Sequence, residues 1–217
     1  MRLYEFAPTR SIRARWMLQE LGIDFEAVSV SLPTGAHRSS EYLEINPAGK
    51  VPALVDGDLT LTESGAIVLY LAEKYVDRGF IPTEPRERAE FYRWTLFAIT
   101  ELEQPLWRIA RHTTLYAAHE RLPADVALAR RDFTAMAAVL ESHMKDRTFV
   151  AGDRVSAADF IVAYTLDWGG EAGLLGDFPA LRAYVERMYA RPHAPQRIAD
   201  IFRAMRSTAP VARAARR

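Results

Sequence analysis

Hydrophobic residues in the first third of the chain follow two different spacings. Ala14, Met17, Leu18 and Leu21 recur as on one face of a helix, and Gly22 follows as a typical C-terminal signal. Short apolar runs of strand length lie on both sides of this helix and again beyond it, at 2–6, 25–31, 51–55 and 59–61. The first run, the helix and the second run predict a βαβ unit. The last two runs flank an Asp-Gly-Asp turn, which predicts a hairpin, and another helical stripe follows.

The remainder of the chain has helical spacing almost throughout. Residues 86–112 read as one long helix that Pro105 should kink or interrupt. Glycine and prolines just before this helix mark the best candidate for a linker. The predicted fold class is an α/β domain followed by an all-α domain. The predicted boundaries are 1–77 for the first domain, 78–86 for the linker, 87–205 for the second domain and 206–217 for a basic tail.

Composition narrows the classes of function. The 217 residues are 49% apolar and 26% charged, the balance of an ordinary soluble globular protein. The 28 basic residues match 28 acidic ones, so we expect no general attraction to nucleic acid or to a membrane surface. The arginines of the tail are interpreted as a solvated chain end. Because no secretory signal or membrane span is evident, we expect a cytoplasmic protein.

The chain has no cysteine. Disulfides, thiolate metal sites and a cysteine nucleophile are therefore excluded. The histidines lack the spacing of zinc-protease helices, and neither a glycine-rich phosphate loop nor a serine-hydrolase motif occurs. We expect no metal, and any thiol chemistry requires a thiol that arrives with a ligand.

Three segments resemble the cytosolic glutathione S-transferase family. They are LYEFAPTRSIRARWMLQELGIDFE at 3–26, AHRSSEYLEINPAGKVPALVDGDLTLTESGAIVLYL at 36–71 and GDRVSAADF at 152–160. The resemblance implies a thioredoxin-like N-terminal domain, an all-helical C-terminal domain and a homodimer. It also implies glutathione as a co-substrate, activation by serine or threonine as in bacterial-type members, and a role in detoxification.

By this resemblance, the first domain binds the cysteinyl and γ-glutamyl units of glutathione. Val51 precedes Pro52, whose family equivalent is cis, and pairs through its main chain with the cysteinyl unit like an added strand. The residues alone indicate only a loop that leads into an edge strand. Glu63 and Ser64 stand where a helix begins, and Ser64 reads as its N-cap. The same geometry suits the ammonium and carboxylate of the γ-glutamyl arm.

The glycyl carboxylate of glutathione is assigned in the same way. His37 and Lys50 match the positions that hold this group in plant-type and related classes, and Arg38 stands where those classes often have lysine. Without the resemblance, a histidine and two cations near a loop indicate solvated side chains.

The reactive thiol of glutathione needs a donor that stabilises its thiolate form. The family draws this donor from a tyrosine or from a serine just after the first strand. Ser11 is the first candidate here and Thr9 the second, and Tyr4, inside the strand, is the third. Ser11 also reads as a plain N-cap of a helix that begins at Ile12. Arg10 is either an extra cation for the thiolate or an exposed side chain.

The electrophilic second substrate is expected above the thiol, against the long helix. Aromatic walls and cations for a developing anion are offered there by Trp107, Arg111, His112 and Tyr116. Core packing or a wet surface is the alternative for each of them. Trp168 is assigned to the core.

The predicted activity is conjugation of glutathione to small hydrophobic electrophiles, with no metal. One alternative is a non-catalytic, glutathione-binding or regulatory module, because a binder needs the same contacts. Another is a glutathione-dependent peroxidase, dehalogenase or isomerase. The isomerase class has a Ser-Ser-Cys loop and the thiol-transfer classes usually have cysteine, and this chain lacks both.

Overall fold

The computed structural model describes residues 1–208. Its N-terminal part is a four-stranded sheet with three helices, in the order β1 (Arg2–Glu5), α1 (Ser11–Leu21), β2 (Glu26–Ser29), α2 (Ser40–Ile45), β3 (Ala53–Asp56), β4 (Leu59–Thr62) and α3 (Ser64–Lys74). The strand order is β2-β1-β3-β4, in which β1 and β2 are parallel and β3 is antiparallel to both β1 and β4. The predicted βαβ unit and hairpin are therefore confirmed.

Helices make up the described remainder of the chain. They are α4 (Pro85–Phe97), α5 (Glu103–Ala110), α6 (Pro123–Met144), α7 (Ala157–Glu171), α8 (Pro179–Tyr189) and α9 (Ile198–Thr208). Residues 209–217, and with them most of the basic tail expected at 206–217, lie outside the described part.

The single helix expected at 86–112 is interrupted before its proline. Wider π-helical turns occupy Ala98–Leu102, between α4 and α5, and Arg111–Leu115, after α5. Pro105 itself lies in the first turn of α5, where a missing N–H donor is best tolerated. Because Pro105 has no N–H to bond to the carbonyl of Glu101, four residues earlier and inside the first π-turn, the interruption falls where the proline predicts it.

The two parts share one hydrophobic core, with α7 at its centre. Nearly every residue of α7 is buried, and α7 packs on α1 and α3 as well as on α4, α5, α8 and α9. Trp16 of α1, fully buried, contacts the ring of Phe160 of α7 at 5.2 Å between centroids. The position of α1 relative to the C-terminal helices is thus set by close packing.

The start of α7 is held by a capping box between Ser156 and Asp159. Asp159 is fully buried, and its carboxylate accepts hydrogen bonds from the N–H groups of Val150 and Ser156, both at 2.8 Å. It also accepts from the hydroxyls of Ser156 and Tyr184, both at 2.9 Å. One carboxylate therefore joins α7, α8 and the loop before α7.

We predict that Asp159→Asn destabilises the protein by about 3 kcal/mol. The carboxylate accepts from four groups, and the substitution replaces one of its two acceptor oxygens with an NH₂ group, which then faces other donors. Asp153→Asn is the matched control, because Asp153 is exposed in the loop just before α7. Urea unfolding followed by circular dichroism measures both. An Asp159→Asn loss no larger than that of the control contradicts the assignment.

Candidate functional site

A buried ion network lies where the two parts meet. The Arg13 side chain, 1% exposed, donates to Thr165 Oγ1 at 2.6 Å and to Ser64 Oγ at 3.3 Å, and it forms a short contact with the carboxylate of Glu103. The other oxygen of Glu103 accepts from Arg10 Nη1 at 2.9 Å. Glu103 thus ties the start of α1 to α5, while Arg13 connects it to α3 and α7.

Neither Arg13 nor Glu103 was predicted from the sequence as a functional residue. The available signal was that Arg13 stands between Ile12 and Ala14 on a helix whose residues are mostly apolar, since a charge that is buried needs a partner. The sequence does not indicate which of the 28 acids is that partner.

The charge state of Glu103 follows from its neighbours. Burial acts to raise the pKa of this carboxyl, but the positive charges of Arg13 and Arg10 outweigh burial, and the pKa lies below its usual value. Glu103 is therefore ionised at neutral pH. Together with its two arginines it leaves one net positive charge at the beginning of α1.

A cleft of about 750 Å³ opens beside this network, in the size range of small-molecule sites. Its N-terminal wall includes Pro8, Thr9, Arg10, His37, Lys50 and Val51. Its C-terminal wall includes Leu106, Trp107, Ile109, Tyr164, Trp168 and Phe202. Polar and main-chain groups therefore face an aromatic and aliphatic wall across the cleft.

The loop after β1 brings Thr9 to the cleft and leaves Ser11 behind it. Ser11 is 1% exposed, its Oγ accepts from the N–H of Phe6 at 3.2 Å, and Ser11 is not part of the cleft lining. The hydroxyls of Thr9 and Ser11 are 2.8 Å apart. Because the Thr9 hydroxyl also makes a short contact with the carbonyl of Phe6, which can only accept, Thr9 donates there and Ser11 donates to Thr9.

Two expected N-caps lie one residue away from the caps observed. Arg10 is the N-cap of α1 and Ser11 its first helical residue, because the N–H groups of Ile12 and Arg13 already bond to the carbonyls of Thr9 and Arg10. Similarly, Glu63 is the N-cap of α3, and Ser64 is the first residue of the helix. Neither Arg10 nor Glu63 makes a side-chain capping bond.

The N-terminus of α3 has free groups and an unusual backbone. Glu63 is exposed and has φ 66°, a region that side chains other than glycine rarely adopt. No side chain caps the helix there, and Ser64, 5% exposed, accepts from Arg13 and keeps its own proton available. These two residues are not part of the cleft lining within the described chain. They form a separate patch, joined to the cleft through Arg13.

The loop before β3 presents main-chain groups to the cleft. The Val51–Pro52 peptide bond is cis, as the resemblance implied. The carbonyl of Lys50 accepts from Tyr42 Oη and Asn46 Nδ2, each at 2.6 Å, which anchors the loop. The N–H and C=O of Val51 make no hydrogen bond to any group within residues 1–208. Val51 is thus placed to accept an added strand.

The three residues predicted to bind the glycyl carboxylate, His37, Arg38 and Lys50, lie in or next to the same loop. His37 lines the cleft, and its Nδ1 is buried without a partner in the described chain. Lys50 is exposed at the cleft mouth. Arg38 packs instead under Gly49, where an added Cβ would lie 2.9 Å from Nη1 of Arg38. Gly49 also has φ 58°. Both this backbone conformation and the close approach of Arg38 require glycine at this position.

Of the four residues expected to contact a second substrate, the structure brings Trp107 into the cleft. Arg10 lies 4.6 Å from the centroid of the Trp107 ring and stacks on it. Arg111, His112 and Tyr116 are not part of the lining. The Arg111 guanidinium lies 5.3 Å from the centroid of the Trp107 ring, and His112, in the π-turn after α5, accepts from the N–H of Leu122 at 3.2 Å.

Trp168 packs against the core, as the sequence predicted, and it also lines the cleft, which the sequence did not predict. Its ring lies edge-to-face to that of Trp107, 6.2 Å between centroids. The sequence held no signal for this, because a tryptophan on a mostly apolar helix has the same spacing whether it faces a core or a cavity.

The fold and the cleft agree with comparisons to known proteins. Two family models match the chain, the glutathione S-transferase N-terminal domain over residues 1–73 and the C-terminal domain over residues 104–192. The chain is 34% identical over 190 residues to glutathione S-transferase F10 of Arabidopsis thaliana, with 83% of this chain and 88% of that protein covered. It is 30% identical over 200 residues to disulfide-bond oxidoreductase YfcG of Escherichia coli strain K12, with 88% and 91% covered.

A solved structure extends the comparison to three dimensions. A glutathione transferase family member from Pseudomonas fluorescens pf-5, with two glutathione bound, has a TM-score of 0.80 at 25% identity, with 89% of each chain covered. The architecture is thus a thioredoxin-like domain joined to an all-helical domain, the class predicted above. The chain belongs to the glutathione S-transferase family.

Within residues 1–208, no helix is long and apolar enough to cross a bilayer. No group of three histidine, aspartate or glutamate side chains in the same range is arranged to hold a metal ion.

We predict that Glu103→Gln destabilises the protein by about 3 kcal/mol at pH 7, because it leaves two arginines without a counter-charge. The pKa of Glu103 is lower in the folded state than its usual value of 4.5. Its charge therefore stabilises the fold above that pH, and the contribution is lost as pH falls through the folded-state value. Urea unfolding at several pH values should show a smaller acid-dependent loss in Glu103→Gln than in wild type, because carboxyls such as Asp56 and Asp125, whose pKa is also lowered, remain in the variant.

Glu101→Gln is the matched control, since Glu101 is exposed two residues away. This variant should keep the wild-type pH dependence. If Glu103→Gln shows the same acid-dependent loss as wild type, the assigned role of the network is wrong.

Proposed function

We propose that the protein is a glutathione S-transferase that conjugates glutathione to small hydrophobic electrophiles. The observation that carries the proposal is the pair of free main-chain groups on Val51, which face the cleft opposite an aromatic wall. A cysteinyl peptide that pairs with Val51 places its sulfur between the two walls. The family assignment supports the same use of the cleft.

Each end of glutathione has a matching group on the N-terminal part. Glu63 pairs with the γ-glutamyl ammonium, and the free N–H groups at the start of α3, with the Ser64 hydroxyl, bind its carboxylate. Lys50 and the unpartnered His37 bind the glycyl carboxylate at the other end. Val51 and Pro52 hold the cysteinyl unit in the middle.

We propose Thr9 as the hydroxyl that contacts the sulfur, and Ser11 as a positioning residue behind it. The Thr9 proton can turn from the Phe6 carbonyl toward the cleft without movement of heavy atoms, and that carbonyl keeps the N–H of Thr9 at 3.1 Å. Ser11 continues to donate to Thr9, which strengthens the Thr9 donor. The Arg10 N–H, unpaired within residues 1–208, and the Arg10 guanidinium add positive charge at the same place.

These donors have a defined energetic task. An unperturbed thiol has a pKa of about 8.5, and lowering it by about 2 units requires roughly 2.7 kcal/mol of stabilisation of the thiolate. The thiolate then attacks the electrophilic carbon with its electron pair, a C–S bond forms, and the leaving group departs with the electrons of the bond that breaks. The chain supplies position and charge for this step.

Disulfide reduction is a second candidate function. The relative YfcG, similar over 88% of this chain, is a disulfide-bond oxidoreductase, and the Pseudomonas fluorescens neighbour holds two glutathione molecules. In this reaction the bound thiolate attacks a disulfide, forms a mixed disulfide and releases one thiolate, and a second glutathione reduces the mixed disulfide. No cysteine of the chain is needed.

We also propose, from the family resemblance, that the protein acts as a homodimer in the cytoplasm and serves in detoxification. Sedimentation velocity tests the homodimer.

Calorimetry with glutathione, followed by assays with several electrophiles and with a mixed disulfide, tests the function. Binding with conjugation supports the transferase, and binding with disulfide reduction alone supports the second candidate. Binding without turnover indicates a non-catalytic module. Absence of glutathione binding contradicts all three.

We predict that Thr9→Val raises the pKa of the bound glutathione thiol by about 1 unit and that Ser11→Ala raises it by less than half as much. The ultraviolet absorbance of the thiolate, titrated with glutathione bound, measures both. Thr113→Val is the matched control, because Thr113 lines the opposite wall and its hydroxyl donates to the Ile109 carbonyl at 2.8 Å. A larger effect of Ser11→Ala than of Thr9→Val reverses the two roles.

A further inference from the structure

The cleft is basic although the chain as a whole is neutral. Among the described residues, its lining carries four basic side chains, Arg10, Lys50, Arg130 and Arg206, and one acidic side chain, Glu171. A cleft with an excess of one charge concentrates ligands of the opposite sign. Its occupants are therefore expected to be anions.

Glutathione accounts for only part of this charge. Arg10 is paired with Glu103, and Lys50 is assigned to the glycyl carboxylate. Arg130 and Arg206 have no carboxylate within ion-pair distance anywhere in residues 1–208. The one hydrogen bond of the Arg130 guanidinium there, to the carbonyl of Ala172, is 3.5 Å long. Two cations thus remain uncompensated.

Helix α9 joins one of these cations to an apolar surface. Ile198, Phe202 and Arg206 are spaced four residues apart, so they lie on one face of α9, and all three line the cleft. Ile198 packs against Tyr164, with Trp168 and Phe202 beside them. Along this face an apolar wall therefore ends in a positive charge.

Arg130 brings a second positive charge to the same part of the cleft. It extends from α6 toward the carbonyl of Ala172, the residue after α7, and both residues line the cleft. Both arginines belong to C-terminal helices, whereas the residues assigned to glutathione belong to the N-terminal part. A ligand that lies against the Trp107–Trp168 pair can thus extend toward them.

We propose that this wall selects a second substrate that is an amphipathic organic anion. Its apolar body lies against Trp107, Trp168 and Phe202, and its carboxylate or sulfonate, remote from the reactive carbon, pairs with Arg130 and Arg206. The inference rests on the proposed function for the reaction, but the binding of the anion is a separate property of the cleft.

The test is equilibrium binding of two unreactive, matched probes to the full chain. 3,5-Dinitrobenzoate and its methyl ester share one nitroaromatic ring and differ in charge, and both quench nearby tryptophan fluorescence. S-Methylglutathione is added to occupy the glutathione site, after its own binding has been measured by calorimetry. We expect the acid to bind more tightly than the ester, by about fivefold at low salt, and the advantage to shrink as salt is raised.

Variants locate the binding of the charge. Arg130→Gln and Arg206→Gln should each weaken the binding of 3,5-dinitrobenzoate by about threefold and leave the binding of its methyl ester unchanged. Arg131→Gln is the matched control, since Arg131 is the next residue of α6, points away from the cleft lining and should change neither probe. Glu171→Gln should strengthen the binding of dinitrobenzoate, because it removes the negatively charged side chain of the lining.

The proposal is overturned if the ester binds as tightly as the acid and neither arginine variant weakens the acid. It is also overturned if the arginine variants weaken the binding of glutathione disulfide and leave the binding of dinitrobenzoate unchanged. In that case the arginines recognise a second glutathione. Conjugation assays with 4-chloro-3,5-dinitrobenzoate and its methyl ester separate this result from the proposed function. Acid-selective binding without conjugation of either supports the anion site and contradicts the transferase.

Discussion

The carboxylate of Glu103 connects the two halves of this molecule. It lies on the first turn of α5 and accepts from Arg10 and Arg13, at the start of α1. Burying the charges of Arg13 and Glu103 is unfavourable unless they stay paired, so a displacement of α1 relative to α5 is costly. The loop before α1 and the helix α5, which both line the cleft, are thereby held in a fixed relation to each other.

The same network sets the chemistry on both sides of the cleft. Arg13 reaches Ser64 at the beginning of α3, while Arg10 faces the cleft and stacks on Trp107. One buried acid thus orients a group near the proposed γ-glutamyl site and another near the proposed position of the thiol. A site assembled on such a rigid junction keeps its donors in place before any ligand binds.

Much of the fold was predictable from residue spacing, and part of the site was not. The βαβ unit, the hairpin and the capping box of Ser156 and Asp159 are local patterns. Their structure depends on residues that are close together along the chain. Thr9 and Ser11 were both recognised as candidates. Which of the two hydroxyls faces the cleft depends on the direction of each side chain, and this direction follows from the turn that makes Arg10 the N-cap of α1.

The sequence by itself determined the class of fold, the absence of a thiol in the chain, and the family that the chain resembles, because composition and local motifs carry that information. Only the tertiary structure decided which side chains share the cleft. It brought Trp168 and Arg130 to the site and kept His112 out of it. The physical reason is that these positions depend on contacts between residues far apart in the chain, and on a π-turn after α5 that spacing alone does not reveal.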